Sequence, residues 1–244
     1  MSRIGLGVGL LLVALGCGMQ NYSPSAKLEF LRFNAVGAVT PQTMVEIETT
    51  MVEHSPEILE HLGVQAMPPV SVFVWQIRKD FESRYGSNTS YVRGFIDPDK
   101  FEVHVLNTSQ SPAMGTIHEY VHLVLLRVNA TISHNPKWLW ETVAIYESNR
   151  PPPPEVQELA CLTASGVPHL SDLNIHSTNI YRVGYYLGDF VVSKWGWPGM
   201  RRLIQANGDT EMGLEVSEKE FEAMWLQHMN SQYKLRQGVP AADC

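Results

Sequence analysis

The sequence predicts an α+β domain, a small mixed sheet with an antiparallel hairpin packed on a helical half. Three observations predict it. Short stretches rich in β-branched and aromatic residues all fall before residue 110. Two of them, YVRGFI and FEVHVLN, are separated by Asp97-Pro98-Asp99-Lys100, whose composition makes a turn and so a hairpin. After residue 110 the apolar spacing is almost wholly helical. Mixed strands and helices followed by helices alone is the order of an α+β domain.

In chain order, KLEFLRFNAVGA reads as an opening strand. After Pro41, QTMVEIETTMVEHSPEILEHLG reads as one long helix or two short ones, with Pro56 at the join and Gly63 as terminator. PPVSVFVWQ is strand-like, and RKDFESRYG is a short helix ending at Gly86. Beyond the hairpin, helices are expected over 112–129, 136–149, 155–165, 179–195, 198–207 and 217–236. RPPPP at 150–154 is a stiff surface bend that closes the second of these.

The chain has 244 residues, 44% apolar and 18% charged, which suits one substantial globular domain or two small ones. A formal charge of −7 gives no basic footprint for nucleic acid. The N-terminus differs from the rest. Arg3 precedes an apolar run over residues 4–16, and Cys17 follows. A membrane span needs about 20 apolar residues, so this run has the layout of a secretory signal instead. Its ending, ALGC, resembles a bacterial lipobox, with Ala14 where leucine is commonest. The resemblance implies a signal peptide over 1–17, a lipid anchor on Cys17, a tether over 18–27 and a single domain over 28–244, held at the cell envelope. Plain export and a cytosolic chain with an apolar start remain open. Export would allow Cys161 and Cys244 to form a disulfide.

The segment MGTIHEYVHLVLLRV carries the chemistry. His118 and His122 are four apart, so a helix sets both imidazoles on one face, one turn apart. Glu119 lies about 100° further round, where it would miss an ion but reach water bound to it. This is the H-E-x-x-H arrangement of zinc peptidases. The alternative is a buried helix whose histidines bond internally. The apolar run Leu123 to Leu126 counts against it, because polar groups there cost desolvation unless something satisfies them. A catalytic zinc needs a third protein ligand. NPKWLWETVAIYES supplies Glu141, with 18 residues between it and His122, enough for a second helix to double back beside the first.

H-E-x-x-H, 18 residues, then Glu resembles the gluzincin peptidases related to aminopeptidase N. PKWLWETVAIY is similar to their P-x-W-L-x-E-G-x-A-x-Y through Pro136, Trp138, Leu139, Glu141, Ala144 and Tyr146. Thr142 departs from it, standing where glycine is usual. Over approximately residues 28 to 210 the chain resembles the peptidase-MA-like (zincin-like) domains of bacterial exported proteins. YRVGYYLG resembles the family stretch whose tyrosine assists the metal. That implies Tyr181 in this role and Gly184 as its glycine, with Tyr185 and His176 as lesser candidates.

The resemblance implies a zinc-dependent metallopeptidase, an endopeptidase or related amide hydrolase acting on peptide or protein outside the cytoplasm. Zn2+ would be held by His118, His122 and Glu141, with Glu119 as general base and Tyr181 on the oxyanion. The rival expectation is a non-catalytic zincin-fold envelope module. A purely structural zinc is a third, weakened by the lack of a cysteine-rich cage. No G-A-M-E-N-like strand precedes residue 118, so nothing marks an aminopeptidase. FEVHVLN is a candidate edge for an added peptide strand, with His104 on a solvated face. His54, His61, His134, His169 and His228 read as surface or loop residues. After Glu141 the same-face positions are Ile145 and Ser148, and Glu147 is expected to point elsewhere.

Overall fold

The computed structural model describes residues 30–86, 92–108, 111–148, 167–175 and 177–233. The expected signal peptide and Cys17, the tether, the 150–154 bend, the 155–165 helix, Cys161, His176 and Cys244 lie outside the described residues.

A four-stranded mixed sheet is built from β1 (Leu31–Val36), β2 (Val70–Trp75), β3 (Gly94–Asp97) and β4 (Glu102–Leu106), in the order β1-β2-β4-β3. β1, β2 and β4 run parallel, and β3 returns antiparallel to β4. The expected hairpin is present, but FEVHVLN is not the edge. β4 lies inside the sheet and β3 is the edge beside it, because β2 pairs with the far side of β4.

α1 (Pro41–Leu62) is one continuous helix despite Pro56. A stripe of buried Ile47, Met51, Ser55, Ile58 and Leu62 keeps one face against the core on both sides of the proline. That burial outweighs the roughly 3 kcal/mol that an interior proline costs a helix. α2 (Arg78–Tyr85) covers the other face of the sheet with Phe81, 5.2 Å from Phe95 between ring centres. Val70, Val72, Val74, Val103 and Val105 point the opposite way and are fully or almost fully buried in the main core.

The helical half holds α3 (Pro112–Val128), α4 (Lys137–Ser148), α5 (Leu170–Ile175), α6 (Ser177–Gln205), α7 (Thr210–Leu214) and α8 (Glu218–Gln232). α6 is broken at Gly196, whose φ of 65° is non-helical, so the expected boundary between 195 and 198 is real. The short α5 and α7 were not anticipated; five- or six-residue helices carry too little periodicity to read. No helix among the described residues is long and apolar enough to cross a membrane.

Several histidines expected at the surface act as internal ties. His61 bonds buried Glu147 at 2.9 Å and stacks on Trp197 at 4.2 Å, joining α1, α4 and α6. Glu147 therefore has its own partner, on the side of α4 away from Glu141. His228 bonds Asp189 at 2.9 Å, joining α8 to α6. His169 is exposed as expected, though bonded to Glu222. His104 is 1% exposed rather than solvated, because α2 roofs its face of the sheet.

Candidate metal centre

α3 and α4 lie side by side, and Asn129 to Pro136 make the reversal between them. Pro112 opens α3, where its missing N–H costs nothing. α4 is pinned at its start by Asn174, whose side chain accepts from the Trp138 N–H at 3.1 Å. The other side of α4 meets α6 at two glycines. A Cβ on Gly184 would sit 2.8 Å from Ile145, and one on Gly188 would sit 2.7 Å from Tyr146. Only residues without a side chain let α6 come this close. Thr142 is buried at this contact, beneath Gly184, and does not line the cleft described below.

This packing brings His118, His122 and Glu141 together. Their ligand-type atoms lie within 4.8 Å of one another. Both histidines present Nε2 to the same oxygen, Glu141 Oε2, at 3.3 Å from His118 and 3.9 Å from His122. The two imidazoles meet edge to face at 85°, so their lone pairs converge instead of stacking. His122 lies flat on Trp140, with ring centres 4.1 Å apart and planes 3° apart.

Do these residues fit a metal ion? Ligands bound to zinc at 2.0–2.2 Å in a tetrahedron are about 3.3 Å from one another. The observed 3.3 and 3.9 Å need only a small adjustment. The hydrogen bonding agrees, since Glu141 Oε2 and His122 Nδ1 are buried with no hydrogen-bond partner. Buried polar atoms are normally paired, and an orphan costs about 1–3 kcal/mol. A cation among these atoms would satisfy the carboxylate oxygen. The group could therefore hold a metal ion.

The charges suit this at His122 and Glu141. Burial pushes the His122 imidazolium well down, helped by nearby His118, so the ring is held in its neutral, ligating form. Burial opposes the charge on Glu141, but His118 and then His122 outweigh it and pull the carboxyl down to about 2. His118 is also opposed by burial, yet the Glu141 and Glu119 carboxylates raise it above the usual histidine value.

Glu119 is not in the group of three that could hold a metal ion. Burial, opposed by His118 and assisted by Glu141, pushes it up to about 7. Its side chain fills the space above Gly94 of β3. A Cβ there would lie 2.5 Å from Glu119 Oε1 and 2.6 Å from its Cγ. Gly94 is thus a site residue that the sequence reading missed. The signal was present: a glycine inside a strand pattern marks a close approach by another group. Tyr181 is over half exposed, but its hydroxyl end meets Glu141. Withdrawal of that hydroxyl from solvent, then the Glu141 charge, raises its pKa above the usual tyrosine range. Tyr185 packs instead against Tyr146 and Tyr186, away from the ligands.

The site opens into a cleft of about 660 Å³. Gly94, His118, Glu119, Lys137, Ile145 and Tyr181 are on its walls, so edge strand β3, both ligand helices and α6 all face it. No protein-family model, curated protein or solved structure matches this chain.

Proposed function

We propose that the protein is a zinc-dependent metallopeptidase of zincin-like fold, cleaving peptide or protein substrates. One observation carries the reading. Two histidines from α3 and a glutamate from α4 aim at one point, while a second glutamate, Glu119, faces the same cleft without joining them. Two nitrogens and one carboxylate oxygen, with room for a fourth ligand, suit zinc. The lipobox-like ALGC supports an exported protein tethered to the membrane through Cys17.

His118, His122 and Glu141 would hold the ion. When bound, zinc would polarise the scissile carbonyl and make its water acidic near neutral pH. Glu119, with a pKa of about 7, is poised to take the water's proton and then pass it to the departing amine. The Tyr181 hydroxyl keeps its proton at neutral pH and can donate to the oxyanion. An extended peptide has a place to bind, since no strand among the described residues pairs with the outer edge of β3, which runs past Glu119 at Gly94.

The second reading, a non-catalytic envelope module, draws on His122 Nδ1. Catalytic zinc histidines usually donate their second ring nitrogen to a carboxylate or carbonyl, and here it has no hydrogen-bond partner among the described residues. The test is the metal content of purified protein, with a peptide-library digest of wild type and Glu119→Gln. The first reading expects one zinc per chain in both and cleavage reduced roughly 10³-fold or more in the variant. One zinc with no cleavage of any peptide would support the second. Full activity in Glu119→Gln would remove Glu119 as the base.

A further inference from the structure

We propose that Lys137 makes this cleft selective for peptides carrying an Asp or Glu side chain within about two residues of the scissile bond; this rests on the peptidase reading above. Lys137 is the first residue of α4, one turn before Glu141. Positions i and i+4 share a helix face about 6 Å apart along the axis, so its stem rises beside the metal ligand. It is half-buried and lines the cleft. No hydrogen bond or ion pair holds its ammonium among the described residues.

That isolation is informative in this chain. Asp and Glu number 25 against 18 Lys and Arg, so a carboxylate partner would have been easy to supply. The i,i+4 ion pair with Glu141 does not form either; Glu141 is turned to the histidines. A half-buried ammonium facing a cleft without a counter-charge recovers its lost solvation when a carboxylate enters. Lys137 starts about 6 Å from Glu141 along α4, and an extended peptide advances about 3.3 Å per residue, so a carboxylate within about two residues of the scissile carbonyl is close enough to meet its ammonium.

The other end of the same stripe is different. Ile145, one turn beyond Glu141, and Ser148 also line the cleft. The face of α4 thus runs cation, metal ligand, aliphatic. Arg93, just before β3, lines the cleft too, but of the two cations only Lys137 shares a helix face with Glu141.

The test uses zinc-loaded protein and a peptide pool synthesised as Asp/Asn and Glu/Gln twins at each position. Wild type is expected to favour the acidic twin about tenfold in kcat/KM, through KM. Lys137→Ala should bring that ratio to about one and Lys137→Glu should invert it, with zinc content unchanged in both. Equal cleavage of twins by wild type, or a preference that survives Lys137→Ala, overturns the proposal. So does a preference lost in Arg93→Ala but kept in Lys137→Ala. Fluorescence anisotropy of zinc-loaded Glu119→Gln with labelled twins separates this from the peptidase reading. Tighter binding of the acidic twin with no cleavage by wild type leaves the Lys137 subsite standing and removes the peptidase. Cleavage without any acidic preference does the reverse.

Discussion

Each side of the sheet buries a histidine near a glutamate, but the two pairs are finished differently. Under α2, His104 accepts from the Trp75 indole at Nδ1 and meets Glu102 at Nε2, both at 3.1 Å. An indole N–H only donates, so the proton of neutral His104 is on Nε2 and goes to Glu102. Glu102 in turn receives Arg84, which also reaches Asp97, and Lys100 completes the chain. On the α3–α4 side, Glu141 Oε2 has the His118 ion pair at 3.3 Å but no well-formed hydrogen bond, and His122 Nδ1 has no hydrogen-bond partner among the described residues. The same residue types build a closed network in one place and an open one in the other. A closed network stabilises the fold; an open one, equally buried, leaves a carboxylate oxygen that a metal ion could satisfy.

Exchanging the damage between the two sides tests this most strongly. His122→Ala should weaken zinc binding by about 10² to 10³-fold, since one of three proposed ligands is gone, and loss of the ring stacked on Trp140 should also cost the metal-free protein about 2 kcal/mol or more. His104→Ala should affect stability alone. It leaves Trp75 and Glu102 facing a cavity, costs about 3 kcal/mol, and leaves zinc affinity alone. Thermal unfolding with and without zinc reads both. At a hundredfold excess over Kd, zinc should stabilise wild type and His104→Ala by about 2.7 kcal/mol and His122→Ala hardly at all. Equal zinc responses in the two variants would break the contrast.

Gly94→Ala sharpens it at a single methyl group. The new Cβ would collide with three atoms of Glu119, so this proposed base has to swing aside. A displacement near 1 Å at a reacting group costs about 10²-fold in kcat. Zinc content should not change, because Glu119 is not in the group that could hold a metal ion. The measurement is kcat with metal content in parallel. Unchanged kcat would mean that Glu119 does not work from where it packs on β3.

What could be read from the sequence follows the same line. His118, Glu119 and His122 are fixed relative to one another by one helix, and Glu141 lies a short connection away, so local geometry was enough to place them. The α+β order and the hairpin are likewise local. His104 was misread because strand alternation gives two faces without saying which is covered, and the cover is an eight-residue helix with one buried side chain, Phe81. FEVHVLN was misread as an edge because strand order depends on a parallel partner some thirty residues earlier in sequence. Pro56 left one long helix or two short ones open, and the buried stripe of α1 makes it one. Gly94 over Glu119 and Gly184 under Ile145 are approaches between distant segments; sequence offers a glycine but not the group that passes it.

The smallest expected effect lies at the outer end of the closed network. Arg84 is about a third exposed and bridges Asp97 and Glu102 at 3.1 and 2.8 Å. Exposed ion pairs are worth about 0–1 kcal/mol, so Arg84→Ala should cost less than His104→Ala by a factor of about three. Its signature is in the pH dependence. The Lys100 ammonium, opposed by partial burial and helped by Arg84, holds the Asp97 carboxyl below its ordinary value of 3.8. A carboxyl depressed in the folded state binds fewer protons there than when unfolded, so its stabilising contribution is complete above that ordinary value and disappears as pH falls through the folded one. Arg84→Ala should therefore flatten the acid limb of the stability curve below about pH 4 and leave the neutral region within about 1 kcal/mol of wild type. Urea unfolding from pH 7 to 2.5 on metal-free protein measures both. A loss at neutral pH as large as that of His104→Ala would mean that the chain is held from its exposed end, and that the buried histidine is not what makes this side of the sheet rigid.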